Sequence, residues 1–149
     1  MRIIVQRSLE SSVSVDKMIV GKIDAGVVLL IGFSKEDQME DITQLVQKVL
    51  DLRIFNDEMG KMNLSVQDVK GQVLAISQFT LYGDTTKGNR PSFIEAMEYK
   101  KAEQYYDLFC QQLRKKIIVE TGIFGADMQV SITNDGPVTL ILESRNHNV

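Results

Sequence analysis

Apolar residues spaced for extended structure open the chain, and they divide into three predicted strands over residues 2–15, 18–23 and 27–33. Asp16-Lys17 is the turn between the first two. Val27-Val28-Leu29-Leu30-Ile31 is an unbroken apolar run, the pattern of a strand covered on both faces. The period then changes. Met39, Ile42, Leu45, Val46, Val49 and Leu50 recur at helical spacing, and Ser34 with Asp37 has the form of a capping box, so a first helix is predicted over 37–51.

Residues 54–69 carry mixed signals, with Asn56-Asp57-Glu58-Met59-Gly60 suggesting a turn and Met62-Asn63-Leu64 a short extended piece. Residues 71–77 read as a central strand, followed by a polar, glycine-bearing loop over 82–91. A second helix is predicted over 97–118, with Ala102, Tyr106, Phe109, Leu113 and Ile117 on one stripe. Its last turn holds Arg114, Lys115 and Lys116, cations that suit the negative end of the helix dipole. Gly122 and Gly125 break the chain before two final strands, over 127–133 and 138–143. Strands thus cluster at both ends of the chain and two main helices lie between them, which predicts an α+β domain built on a strongly curved sheet. The domain covers residues 1–144, and the polar residues 145–149 are expected to form a flexible tail.

A chain of 149 residues suits one domain, large enough to bury a core without disulfides or metal. No apolar run approaches the roughly 20 residues of a membrane helix. The N-terminus runs straight into strand-like sequence rather than a leader, so a cytoplasmic location is expected. A formal net charge of −3 and a pI near 5.2 supply no global positive field. That balance disfavours a partner wrapped along many phosphates and leaves open a short nucleic-acid end held by a few local cations, or a partner without phosphate.

Composition also narrows the chemistry. The one histidine, His147, lies in the polar tail, which removes the usual general base from Ser-His-Asp and Cys-His mechanisms. The one cysteine, Cys110, follows Tyr106 by four residues on the second helix and reads as a small hydrophobe facing the interior. One His and one Cys make no zinc site, and Asp37, Glu40 and Asp41 read as helix-dipole partners rather than a metal cluster. Neither a Gly-x-Gly-x-x-Gly nor a P-loop pattern is present, and no cofactor is expected. An enzyme of this composition would work with backbone dipoles, hydroxyls and its own substrate.

Two segments stand out. Ser77-Gln78-Phe79-Thr80-Leu81-Tyr82-Gly83-Asp84 begins where an apolar strand ends and continues through Lys87-Gly88-Asn89-Arg90-Pro91-Ser92-Phe93. It reads either as a strand followed by a surface loop or as a place where backbone N–H groups and hydroxyls face a ligand. Asn134-Asp135-Gly136-Pro137-Val138-Thr139 reads as an ordinary hairpin turn stiffened by proline, or as a Gly-Pro bond in the cis form. Each of the chain's two prolines lies in one of these segments.

Together SQFTLYGD, KGNRPSF and NDGPVT closely resemble the signature motifs of the D-aminoacyl-tRNA deacylase family. The resemblance extends to MRIIVQRS, GKIDAGVVLLIGF and LRIFNDEMGKMNLSVQDVKG, and so over nearly the whole chain. It implies a compact, barrel-like α+β domain that forms a homodimer with active sites at the interface. Gly136-Pro137 would be a cis bond presented to the partner subunit's pocket, with Ser77, Gln78, Phe79 and Thr80 opposite.

The resemblance further implies hydrolysis of the ester that joins a D-amino acid to the 3′ end of tRNA, and of glycyl-tRNA mischarged on tRNA-Ala. Backbone N–H groups near Gln78 and Phe79 would hold the ester carbonyl. Thr80 would act as a nucleophile, or as a positioning hydroxyl if the tRNA ribose assists water. The Gly136-Pro137 backbone would exclude an L side chain by clash. Arg7 would brace that segment, and Lys87, Arg90, Lys100 and Lys101 are candidate tRNA contacts. Two other readings use the same fold: a deacylase for L- or achiral mischarged aminoacyl-tRNA, and a non-catalytic nucleic-acid-binding module.

Overall fold

In the computed structural model, which describes residues 1–144, the apolar run 27–31 lies in β4 (Gly26–Gly32). β4 is the middle strand of a five-stranded sheet that runs in the order β10 (Asn134–Glu143), β1 (Arg2–Ser8), β4, β7 (Gln72–Ser77) and β8 (Val119–Thr121). β1 pairs with it antiparallel and β7 parallel. Successive side chains of a strand point to opposite faces. Val27, Leu29 and Ile31 join the core beneath the two helices, while Val28 meets Val13, Ile23, Leu74 and Ile76 on the other side. That second core belongs to a three-stranded sheet of β2 (Ser11–Val15), β3 (Met18–Ile23) and β9 (Gln129–Ser131), in the order β3-β2-β9. Helices, large sheet and small sheet therefore form three layers of an α+β domain. The described strands make open sheets of five, three and two, and do not close the barrel that the family resemblance implied.

β5 (Phe55–Asn56) and β6 (Met62–Leu64) form the two-stranded hairpin around the Asn56 to Gly60 turn. The single strand expected over 2–15 is two strands in different sheets. Its corner is held by Ser11, whose hydroxyl donates to the Leu9 carbonyl and accepts from the Thr133 N–H. The final two strands are likewise no hairpin, because β9 pairs with β2 while β10 (Asn134–Glu143) pairs with β1.

Helix α1 (Met39–Asp51) starts two residues later than expected. Asp37 is drawn inward instead, accepting from the Ser34 N–H at 2.6 Å and from the Met1 amino group. The capping contact runs from the Gln38 N–H to Asp41 at 2.7 Å, so only Glu40 and Asp41 sit in the first turn. Asp37 is thus a buried ion-pair partner and not a dipole partner.

Helix α2 (Tyr99–Arg114) is shorter at both ends than the stripe suggested. The Met97 N–H is bound to the Phe33 carbonyl, and beyond Arg114 the chain unwinds into β8 (Val119–Thr121), a strand the sequence did not reveal. Lys115 and Lys116 accordingly lie past the last helical turn. Cys110 is buried on α2, and burial pushes its thiol up to about 11. No helix among the described residues is long and apolar enough to cross a membrane. His147 and the tail 145–149 lie outside the described residues.

Candidate active site

The site begins where β7 outlasts its partners. The Gln78 N–H donates to the Ile31 carbonyl at 2.7 Å, the last step of the β4–β7 ladder. The chain then folds into a single 3₁₀ turn, Phe79–Tyr82, closed by Leu81 N–H to Gln78 carbonyl at 3.2 Å and Gly83 N–H to Thr80 carbonyl at 2.9 Å. Gly32 makes room for it: a Cβ there would lie 3.0 Å from both the Gln78 oxygen and the Leu81 Cβ.

The first donors of any helical turn precede its internal bonds. Here those are the N–H groups of Phe79 and Thr80, which make no hydrogen bond among the described residues. Of the N–H groups near Gln78 and Phe79 expected to hold the ester carbonyl, that of Gln78 itself donates to Ile31. The Gln78 side-chain amide donates to the Thr80 hydroxyl oxygen. Among the described residues that amide is the side-chain partner of the Thr80 hydroxyl.

Ser77, Gln78 and Phe79 line a pocket of about 490 Å³ between the start of α2 and the segment before β9. Its other walls include Ile76, Met97, Tyr99, Phe124, Gly125 and Met128. At Gly125, with φ of +77°, an added Cβ would fall 2.1 Å from the Tyr99 hydroxyl, so the missing side chain is what lets Tyr99 close that wall. Tyr99 also packs edge-on against Phe124 at 5.1 Å, and Phe79 against Phe93 at 5.0 Å. None of Tyr99, Phe93, Phe124 and Gly125 was singled out as a site residue from the sequence. The spacing of Gly122 and Gly125 was the available clue, and it reads equally as a simple break.

The second segment lies elsewhere on the molecule. Gln6 of β1 pairs with Thr139, but Ser8 pairs with Asn134, so residues 135–138 bulge out of β10. Proline has no N–H to give a ladder, and the bulge is where the strand accommodates it. Asn134 closes the bulge by accepting from the Val138 N–H at 3.1 Å and donating to the Thr139 hydroxyl at 2.8 Å. The Gly136-Pro137 peptide is cis, both residues are exposed, and neither lines the pocket of the same chain.

Alternation along β1 puts Arg7 inward with Ile3 and Val5, and it is buried. Its guanidinium donates to the Ile54 carbonyl at 2.9 Å and the Asp135 carbonyl at 3.2 Å, and pairs with the Asp135 carboxylate at 3.4 Å. A Cβ on Gly136 would sit 3.0 Å from its Nη2. Lys87 and Arg90 are exposed on a loop whose neck is the reciprocal 2.8 Å pair of Asp84 and Ser92. Lys100 and Lys101 open α2, with Lys101 over the Tyr105 ring at 5.4 Å.

Fold and site together define an α+β protein with a pocket at the end of β7, lined by Ser77, Gln78 and Phe79, while Thr80, expected in the same wall, follows just outside the lining. The chain belongs to the D-Tyr-tRNA(Tyr) deacylase family, whose model matches residues 4–143. Its function is the family's, hydrolysis of the ester bond in D-aminoacyl-tRNA. Among solved structures, one described as c-Myc DNA Unwinding Element Binding Protein is similar over 98% of this chain and 100% of its own, at 43% identity and a TM-score of 0.93. Another, described as a probable eukaryotic D-amino acid tRNA deacylase, has the same fold over 95% of this chain and 97% of its own, at 18% identity and a TM-score of 0.84.

Proposed function

We propose that the chain deacylates D-aminoacyl-tRNA in the pocket of Ser77, Gln78 and Phe79, as a homodimer in which Gly136-Pro137 of each subunit completes the other's site. The observation that carries this reading is the pair of unspent N–H groups, Phe79 and Thr80, beside the pocket at the end of β7. The aminoacyl ester is already activated, so two donors aimed at its carbonyl oxygen stabilise the developing oxyanion without a side-chain base. The Thr80 hydroxyl, held by Gln78, positions the substrate; water, assisted by the ribose hydroxyl of the tRNA, attacks the ester carbonyl, and the acyl–oxygen bond breaks to give the free amino acid and the terminal hydroxyl of the tRNA.

Chirality is read by exclusion. The exposed bulge at Gly136-Pro137, stiffened by Arg7, leaves space for hydrogen but not for a side chain on one side of the α-carbon. An L-residue is rejected, while glycine passes, so glycyl-tRNA mischarged on tRNA-Ala is also a substrate. Lys87 and Arg90 supply the few phosphate contacts that a reader of the 3′ end needs, in keeping with a net charge of −3. A cytoplasmic location follows from work on charged tRNA.

The test is incubation with D- and L-tyrosyl-tRNA and measurement of the remaining ester. Rapid loss of the D-ester alone is expected; equal rates, or tRNA retained without cleavage, would overturn the proposal.

A further inference from the structure

We propose that Arg2 is a positioning residue for the deacylation site, acting through the 3₁₀ turn that carries Phe79 and Thr80. The inference rests on the proposed use of that turn.

Both ends of the turn are fixed by its own neighbours. Gln78 is tied to Ile31 at its start, and at its end Gly83 lies close against Phe93, where an added Cβ would be 3.0 Å from the ring. One carbonyl near the turn's carboxyl end is different. The last carbonyls of a short helical turn have no internal donor, and the Leu81 oxygen is one of them. Arg2 fills this gap: its Nη1 donates to the Leu81 carbonyl at 2.7 Å, and its guanidinium lies 4.9 Å from the centre of the Tyr82 ring. Glu143, across the β1–β10 ladder, holds the guanidinium in place by accepting from its Nε at 2.7 Å.

The geometry follows from strand register. Arg2 is the partner of Gly32 on β4, the residue whose missing side chain lets the turn settle onto the sheet. A cation at the carboxyl end of the turn both satisfies a carbonyl and complements the local dipole. The guanidinium fork can serve Glu143 and Leu81 together, whereas an ammonium on a flexible stem reaches one acceptor well. A shift of the turn moves the Phe79 and Thr80 donors relative to the reacting carbon, and a misplacement of about 1 Å lowers a rate by up to about 100-fold.

The experiment compares Arg2→Met and Arg2→Lys with the unchanged chain by two readouts. The first is amide hydrogen exchange over residues 78–83 and over the strands β1, β4 and β7. The second is the kcat and KM for D-tyrosyl-tRNA hydrolysis. Arg2→Met is expected to raise exchange in 78–83 alone and to lower kcat about 10-fold with little change in KM; Arg2→Lys should recover part of both.

Unchanged exchange in 78–83 in Arg2→Met would overturn the proposal. Exchange rising equally through the strands would reduce Arg2 to a general stabiliser and overturn it too. Exchange needs no substrate, so these outcomes remain readable if the unchanged chain fails to cleave D-tyrosyl-tRNA, which would refute the functional reading instead.

Discussion

Replacing Arg7 by alanine tests how the Gly136-Pro137 bulge is held. The guanidinium supplies the donor for the carbonyl of Ile54, a residue only 4% exposed. Without Arg7 that buried oxygen loses its donor, at a cost of about 1–3 kcal/mol. The contact with Asp135 contributes less, since that carboxylate is 44% exposed and water replaces its partner, so about 1 kcal/mol or below is expected there. Loss of the buried side-chain stem adds about 0.8 kcal/mol per methylene.

The expected destabilisation of Arg7→Ala is therefore about 4 kcal/mol, a large share of the roughly 5–15 kcal/mol that holds a domain of this kind. Urea unfolding should show the midpoint falling at constant slope, and Tm should drop by about 10 °C. Arg7→Lys keeps the charge and most of the stem but satisfies fewer carbonyls, so about half that loss is expected. A change below about 1 kcal/mol in Arg7→Ala would refute the reasoning, because a buried carbonyl cannot lose its donor that cheaply. If the alanine and lysine variants fell equally, the stem would contribute nothing and the accounting would also fail.

Other outcomes are expected elsewhere. Tyr106→Phe removes the 2.7 Å donor to the Ala75 carbonyl and should cost about 1–2 kcal/mol in urea unfolding, with a neutral result contradicting the account of that bond. Cys110, buried with its thiol pushed up to about 11, should resist maleimide at pH 8 until the chain is unfolded; modification of the native protein would show the site to be open. Gly125→Ala places a Cβ against the Tyr99 hydroxyl and should displace that ring, raising KM for D-aminoacyl-tRNA more than it lowers kcat; unchanged kinetics would remove Tyr99 from the site.

The acid limb of stability has a defined sign. Asp57, Asp68 and Asp84 are held below the ordinary 3.8, chiefly by backbone N–H groups of Lys61, Ser65 and Thr86 respectively. Lowered values in the fold mean stability that is present above 3.8 and lost as pH falls through the folded values. Replacing all three by asparagine should flatten the decline below pH 3.8 in thermal melts, and an unaltered slope would assign it to other groups.

The parts of the fold that follow from periodicity were legible. Five consecutive apolar residues in β4 announced a strand with a core on either side, and the helices occupy most of the ranges their stripes define. What escaped depends on partners distant in sequence. Nothing local to residues 9–10 says that β1 and β2 belong to different sheets, because the corner is sealed by Thr133. The apparent hairpin at 131–138 failed for the same reason, since β9 and β10 each prefer a strand near the N-terminus to one another. β8 is not legible because three residues carry too little pattern beside a helical stripe that runs on to Ile117.

The site was legible in its motifs and less so in its atoms. Sequence pointed to Gln78 and Phe79 together, and only the ladder bond to Ile31 shows that the Gln78 donor is spent while those of Phe79 and Thr80 are not. The aromatic wall from Tyr99 to Phe124 joins a helix to a loop 25 residues later, a closeness created by the packing of α2 beside the segment before β9.

β1 carries Arg2 on one face and Arg7 on the other, one reaching the turn at Leu81 and the other the bulge at Asp135. Because side chains alternate, that opposition holds only while an odd number of steps separates the two arginines. One residue inserted or deleted between them would turn both toward the same layer and strand one guanidinium away from its carbonyl. The middle of β1 can therefore change its side chains across generations far more easily than its length, and a lineage that altered the count by one would have to rebuild either the turn or the bulge.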